Sequence, residues 1–524
     1  MKIIDHEIIR TSAFVRSYIA GEEAVSSRFP HRELTQEFCR KRASQGASRS
    51  RLAALVTSSM APRELSPQQQ VALSALSRPD SVVVATGQQV GMMGGPMYTL
   101  YKIRTAVSVS RTIRRTHGME AVPVFWLEDN DHDAAEASQV TLPGADSAPT
   151  NLQTWDGHNP RTPVSMRSVD AAMHARIADA STLLTGQHAE TVRRQLLEAW
   201  STDISWGDAF IATLAPYLER WGVLVVRASE VIRSGMHAPL VMREIGSRTI
   251  TAALQLGTES CRQKGLSIQA QPPEFGFFVI DDRSRRRPDP IEPGLLERAQ
   301  TRPQDFSPSV LTRPLIQDAL LPTVVSVLGG AELAYHAQLA EAYQACGIEM
   351  PVPMLRHGAT LLSPKIQRLL AKSETEATSY LHPWSEIERR LAQQLTQDIF
   401  PDADATLSAV DSLLAPYSDA ASRTDVTLIP SVAAQRASIL SSIEALEGKI
   451  RSAIKRRNAA DLDRARSLHS GLYPQDTLQE RVYPLAYWEA QVGADALADA
   501  LEVFDAVGSG HHLLVELNAE RSRE

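Results

Sequence analysis

Between Glu128 and Asp133 the chain reads EDNDHD, one histidine inside a run of carboxylates. Imidazole is the side chain best matched to proton transfer near neutral pH, and an adjacent carboxylate fixes its tautomer and raises its basicity. Asp131, His132 and Asp133 are therefore the candidate catalytic group. Taken alone, the residues leave two other readings open. Asp131 or Asp133 could cap a following helix, or Asp129, Asp131, His132 and Asp133 could hold a divalent cation as hard ligands. Upstream, TGQQVGMMGG offers backbone N–H groups at Thr86, Gly87, Gln88 and Gln89, and around Gly94 and Gly95, to an anion or nucleotide. This loop is neither GxGxxG nor a Walker A sequence. Lys102 lies one helical turn after Tyr98 and can swing back toward the loop. Arg313 and Gln317, also one turn apart, are candidate grips for a substrate carboxylate, Arg through its bidentate fork. Glu332 follows the second glycine pair, Gly329-Gly330, in a first turn where a carboxylate is favoured, and shares a helical face with Tyr335.

The elements around these residues read as an α/β core. Val82, Val83 and Val84 form a buried strand, Leu100, Ile103 and Val107 repeat at helical steps with Pro96 in the first turn, and AVPVFWL is a second strand. That is one βαβ unit. In open parallel sheets ligands collect beyond the carboxyl ends of the strands, where both polar clusters fall. WGVLVVRASE and TVVSVL add strands, and Ala331 to Cys346 reads as one helix. The expected fold is a Rossmann-like parallel sheet with two inserted segments and a long helical arm. The expected boundaries are core at 1–140, 206–256 and 306–373, insertions at 141–205 and 257–305, arm at 374–470, and a segment at 471–524 that closes on the core. In the second insertion, GFFVIDDRSRRRPDP reads as a strand pair around a turn, and Arg285-Arg286-Arg287 as its solvated tip. In the arm, Ile387, Leu391 and Leu395 form one stripe, and Ile439, Ile443, Leu446 and Ile450 another with the seam spacing of antiparallel paired helices. Pro416 and Pro430 are expected to interrupt that seam.

Composition narrows the function. The 524 residues carry 54 Lys+Arg against 61 Asp+Glu, a net charge of −7, which argues against a nucleic-acid partner. Cys39, Cys261 and Cys346 lie far apart with no CxxC spacing, so a reducing cytoplasm is expected and a cysteine-ligated metal is not. Charges interrupt the N-terminal stretch where a signal peptide needs an apolar core, and no run approaches the roughly 20 apolar residues of a membrane span.

TGQQVGMMGGPMYTLYK, FWLEDNDHD, FSPSVLTRPLIQDALLPTV, VLGGAELAYHAQL and LQERV resemble, in order and over nearly the whole chain, the BshC family of cysteine-adding enzymes of bacillithiol biosynthesis. The family usually has Glu where this chain has Asn130. The resemblance implies a ligase that joins L-cysteine to the amine of glucosaminyl-malate in the last step toward this low-molecular-weight thiol, forming a carbon–nitrogen amide bond. It favours the catalytic reading of Asp131, His132 and Asp133. The expected substrate-binding set is Gln88, Gln89, Tyr98, Lys102, Arg313, Gln317, Glu332 and Tyr335. It also points to a homodimer through the coiled-coil arm. ATP is expected on chemical grounds, because direct amide condensation in water is uphill and the cysteine carboxyl needs phosphorylation or adenylylation. The rival readings are an adenylate-forming nucleotidyltransferase relative with another acceptor, whose usual HxGH and KMSKS signatures are absent, and a non-catalytic scaffold that uses the arm.

Overall fold

The computed structural model describes residues 2–144, 148–289, 292–396, 403–508 and 510–518. Continuous β-branched runs need cover on both faces, which a parallel sheet flanked by helices provides. Five such strands form the core: β1 (Val82–Gln89), β2 (Ala121–Glu128), β3 (Leu224–Arg227), β4 (Thr323–Leu328) and β5 (Val352–Leu355). They pair in parallel in the order β5-β4-β1-β2-β3. Read from the β3 edge this is the 3-2-1-4-5 order of doubly wound nucleotide-binding folds, and its direction reverses between β1 and β4. The expected Rossmann-like α/β core is thus present.

Helix α1 (Tyr98–His117) follows β1 and ends at Gly118, whose φ of 63° is the left-handed cap that glycine takes without strain. Pro96 is not in its first turn but forms an isolated bridge with Pro484. The Gly94-Gly95 step serves chain packing, contrary to the expected anion loop. Gly94 has φ 86°, and a Cβ there would lie 2.7 Å from Leu485 Cβ. The close approach is to the chain's own C-terminal segment.

The first insertion contains the hairpin Gln139–Pro143 with Pro149–Gln153 and the helices Ala171–Ser181 and Ala189–Ala199. In the second, Phe277–Asp281 pairs with Ser284–Arg286 as the sequence suggests, and Phe306–Pro308, from the stretch expected to be core, adds a third strand. Thr249–Gln263 is one helix that runs past the anticipated boundary at 257. The helix expected from Ala331 to Cys346 is two, α2 (Gly330–His336) and Ala340–Cys346. The Ala337 carbonyl at the break accepts from Arg28 Nε at 2.8 Å and from the Cys261 thiol at 3.3 Å.

Residues 1–367 and 478–524 form one compact unit. Its C-terminal strand His512–Glu516 pairs with Gly358–Leu362 and with Lys2–Ile4. Arg104 on α1 is fully buried and forms ion pairs with Glu502 and Asp505, each at 2.8 Å. Arg368–Thr477 form the second unit. There the helices Ala403–Thr424 and Ile429–Arg457 form a hairpin, with Arg436 paired to Asp411 at 2.5 Å. Neither proline interrupts these helices. Pro416 lies inside the first, and Pro430 occupies the first turn of the second, where its missing N–H has no partner to lose. The turn instead falls at Asp425, whose carboxylate accepts from Thr427 N at 2.9 Å. No helix among the described residues is long and apolar enough to cross a membrane.

Gly94→Ala adds both the Leu485 clash and an unfavourable φ. It is expected to cost about 2 kcal/mol of stability in urea unfolding. An unchanged unfolding midpoint would show that the Leu485 contact relaxes freely.

Candidate functional site

A cavity of about 480 Å³ opens beyond the carboxyl ends of β1, β2 and β4, at the point where the sheet order reverses. The β1 end contributes Gly87, Gln88 and Gln89, the β2 end Glu128, Asp131 and His132, and the turn after β4 Gly329 and Gly330. Six cationic side chains line it against four carboxylates. A desolvated excess of positive charge suits an anionic substrate.

Lys102 and Glu332 tie the two glycine turns together. Lys102 Nζ lies 2.5 Å from Glu332 Oε2 and donates to Gly87 O and Gln88 Oε1, both at 2.9 Å. The same Glu332 oxygen accepts from Gly329 N at 2.8 Å. Burial lowers the Lys102 pKa and Glu332 opposes that loss; burial disfavours the Glu332 carboxylate too, but Lys102 outweighs it and keeps the acid ionised. Arg313 and Gln317 stand one turn apart on the helix Arg313–Leu320, and Arg313 donates to the hydroxyl of Tyr335 on α2 at 3.2 Å and to Gln317 Oε1 at 3.0 Å.

The EDNDHD loop separates its acids by direction. Asp129 turns into the core, where it accepts from Arg227 Nε at 2.9 Å, Ser229 N at 2.9 Å and Ser229 Oγ at 2.7 Å. Asn130 turns toward the second insertion and donates to Ser307 Oγ at 2.7 Å. It does not line the cavity, so its departure from the family's Glu takes no carboxylate out of that space. Asp131 faces inward, accepting from Gln89 Nε2 at 2.6 Å and from Arg285 at 2.5 Å. Burial opposes its charge, but the His132 hydrogen bond and Arg285 overcome this and hold the carboxyl well below the usual range. His132 Nδ1 lies 3.1 Å from Asp131 Oδ1 and 3.1 Å from the Arg285 guanidinium. When Nδ1–H is donated to Asp131, Nε2 is left with a lone pair for proton transfer.

Ten of the expected site residues meet in this cavity: Gly87, Gln88, Gln89, Tyr98, Lys102, Asp131, His132, Arg313, Glu332 and Tyr335. Five do not line it. Thr86 donates to Val327 O at 2.9 Å between β1 and β4. Gln317 braces Arg313, and Gly94 and Gly95 pack against other backbone and side chains. Asp133 caps the short helix Ala134–Ala137 by accepting from Glu136 N at 3.0 Å, which is the capping alternative. With Asp129 and Asp133 turned away, the four-ligand cation arrangement does not assemble, and no group of three or more His, Cys, Asp or Glu suited to a metal occurs among the described residues.

The cavity also holds residues not foreseen as ligands. Arg285 is not a solvated hairpin tip; it is buried, it stacks 4.0 Å from the Phe278 ring centroid, and it orders Asp131. Arg286 does pair outward with Glu292, and Arg287 lines the mouth. Arg356, just past β5, reaches the cavity while bonded to Glu480 at 2.5 Å. Glu480 belongs to LQERV, and its neighbour Arg481 lines the same space. That motif was the one available signal. Glu128, read only as part of the acidic run, also faces the cavity, and burial pushes its pKa up to about 7.

Two family models match the chain in order. Residues 1–357 match "Bacillithiol biosynthesis BshC, N-terminal Rossmann-like domain", and residues 359–516 match "Bacillithiol biosynthesis BshC, C-terminal coiled-coil domain". Among curated relatives named "Putative cysteine ligase BshC", the protein of Salinibacter ruber is 27% identical over 84% of each chain. That of Chloroherpeton thalassium is 28% identical over 78% of each. That of Koribacter versatilis is 26% identical over 96% of this chain and 97% of its own. With a Rossmann-like core, a helical-hairpin unit and both family models matched across nearly its whole length, this chain belongs to the BshC family of bacillithiol biosynthesis.

Proposed function

We propose that this protein is a cysteine ligase that joins the carboxyl of L-cysteine to the amine of glucosaminyl-malate, completing bacillithiol with an amide bond. The observation that carries this reading is the cation-rich cavity at the sheet reversal, which holds Asp131–His132 beside the Lys102–Glu332 pair. Arg287 and Arg481 have no ion-pair partner among the described residues and supply charge for the malate carboxylates. Lys102 and Arg313 supply it nearer the strand ends, where an anion formed on activation is stabilised by fixed charge in a desolvated space. The peptide-like bond is uphill in water, so ATP is the energy source in this reading, spent on activating the cysteine carboxyl. Asp131 orients His132 for proton transfer, and Arg285 holds Asp131 ionised. The cytoplasm is the expected compartment, in keeping with three free cysteines.

The same reading makes the protein a homodimer through its helical unit. Leu413, Tyr417 and Leu446 are 61%, 64% and 58% exposed on the hairpin, more apolar surface than a single helix pair covers. A twofold pairing of identical hairpins is the simplest closed assembly that buries it.

Purified protein supplied with cysteine, glucosaminyl-malate and ATP is expected to form bacillithiol, detected by mass spectrometry. His132→Ala is expected to lower turnover about 100-fold with folding intact, the scale of a lost proton-transfer group. Wild-type protein that forms no product contradicts the ligase reading, and an unchanged His132→Ala rate removes His132 from it. For the assembly, Leu413→Glu with Tyr417→Glu is expected to turn a dimer into a folded monomer in sedimentation. A variant that stays dimeric, or a monomeric wild type, contradicts the arm contact.

A further inference from the structure

Glu128 is the last residue of β2, in register with Gln89 at the end of β1, and its carboxyl opens into the cavity. Of the other three cavity carboxylates, two are engaged within the protein and the third faces solvent. Asp131 is bonded to Arg285, Glu332 is paired with Lys102, and Glu136 is exposed. Glu128 accepts one hydrogen bond among the described residues, from Trp126 Nε1 at 3.2 Å, and forms no ion pair there. The charges that face it come from four elements: Arg313 from the helix Arg313–Leu320, Arg285 from the hairpin, Tyr335 from α2 and Asp131 from its own loop. Both arginines already have other partners, in Gln317 and Tyr335 and in Asp131 and the Pro308 carbonyl.

An acceptor amine enters as an ammonium, and an ammonium has no lone pair. We propose that Glu128 is the base that takes this proton as the amide bond forms. The role rests on the ligase reading above and deepens it. The ammonium N–H bond breaks and its proton passes to the Glu128 carboxylate. The freed nitrogen pair attacks the carbonyl carbon of an acyl-phosphate or acyl-adenylate of cysteine. The C–N bond forms, and the phosphoryl oxygen leaves with the electron pair of the broken C–O bond. The second N–H proton is lost as the tetrahedral centre collapses, with His132, which lines the same cavity, as its acceptor.

Of the two inward carboxyls on this loop, Asp131 is pinned in its charged form and is a weak base. Glu128 has the opposite environment. Desolvation dominates, Arg313 only partly offsets it, and Asp131 adds to it, so the carboxyl titrates at about 7 rather than 4.5. A base with its value near the working pH transfers protons most effectively. Two acids three residues apart are thereby driven to opposite extremes by what touches them.

The test compares wild type, Glu128→Gln and Glu128→Asp in product formation against pH, together with an infrared titration of the carboxyl band lost in Glu128→Gln. The expected result is a kcat at least about 100-fold lower in Glu128→Gln with little change in the KM for cysteine, partial recovery in Glu128→Asp, and a wild-type rate that rises through pH 7. The infrared band is expected to titrate near 7. Stability gives a third reading. Because the folded value exceeds the unfolded one, ionisation penalises the fold progressively from pH 4.5 to 7 and fully above it. Glu128→Gln should therefore melt higher than wild type at pH 8 and equally at pH 4. A full rate in Glu128→Gln, or a band that titrates near 4.5, overturns the role of Glu128 while leaving a product-forming ligase in place. Wild-type protein without product overturns the ligase reading itself, and this step with it.

Discussion

The buried pair of Lys102 and Glu332 is the contact on which the site depends. Burial penalises the Lys102 charge and Glu332 offsets that penalty, and removing one partner of such a buried pair costs about 3–5 kcal/mol because the other charge is left stranded. The pair also joins the two βα crossovers at the sheet reversal, since Lys102 stands on α1 and Glu332 opens α2. Its remaining donors go to Gly87 O and Gln88 Oε1, so the first glycine turn is shaped by the charge that the second turn supplies. The mouth of the cavity is therefore fixed by electrostatics as much as by packing.

Around that pair the protein spends other buried charges on orientation. Asp129, with Arg227 and Ser229, anchors the loop after β2 from beneath, and Arg285 reaches in from the second insertion to fix Asp131 from above. Arg356 is held by Glu480 from the C-terminal segment, which also accepts from Ala359 N at 3.2 Å. Chain segments far apart in sequence thus converge on one concave space. Each brings a charge neutralised within the protein, whereas Arg287, Arg313 and Arg481 line that space without an ion pair among the described residues.

Much of the fold was legible because its signals are local. The valine run before the glycine turn, the helical stripe of Leu100, Ile103 and Val107, and the second strand AVPVFWL define the βαβ unit without reference to the rest of the chain. Lys102 and Glu332 could be singled out because each follows a glycine turn at a strand end. What stayed hidden depends on distant contacts. Arg285 looks like a solvent-facing tip until Phe278 and Asp131 are seen to enclose it, and the paired helices after Gly330 read as one until Arg28 and Cys261 claim the Ala337 carbonyl. The acidic loop misled in a different way. Its residues share a composition, yet backbone direction sends Asp129 to the core, Asn130 to Ser307 and Asp133 to a helix cap.

The cavity at the reversal point between β1 and β4 is the proposed meeting place of the substrates. The most direct measurement is a crystal structure of the protein soaked with cysteine and glucosaminyl-malate. Both molecules are expected in the space between Gly87–Gln89 and Gly329–Glu332, with the acceptor's carboxylates against arginines. Ligands seated elsewhere, with that space empty, would contradict it.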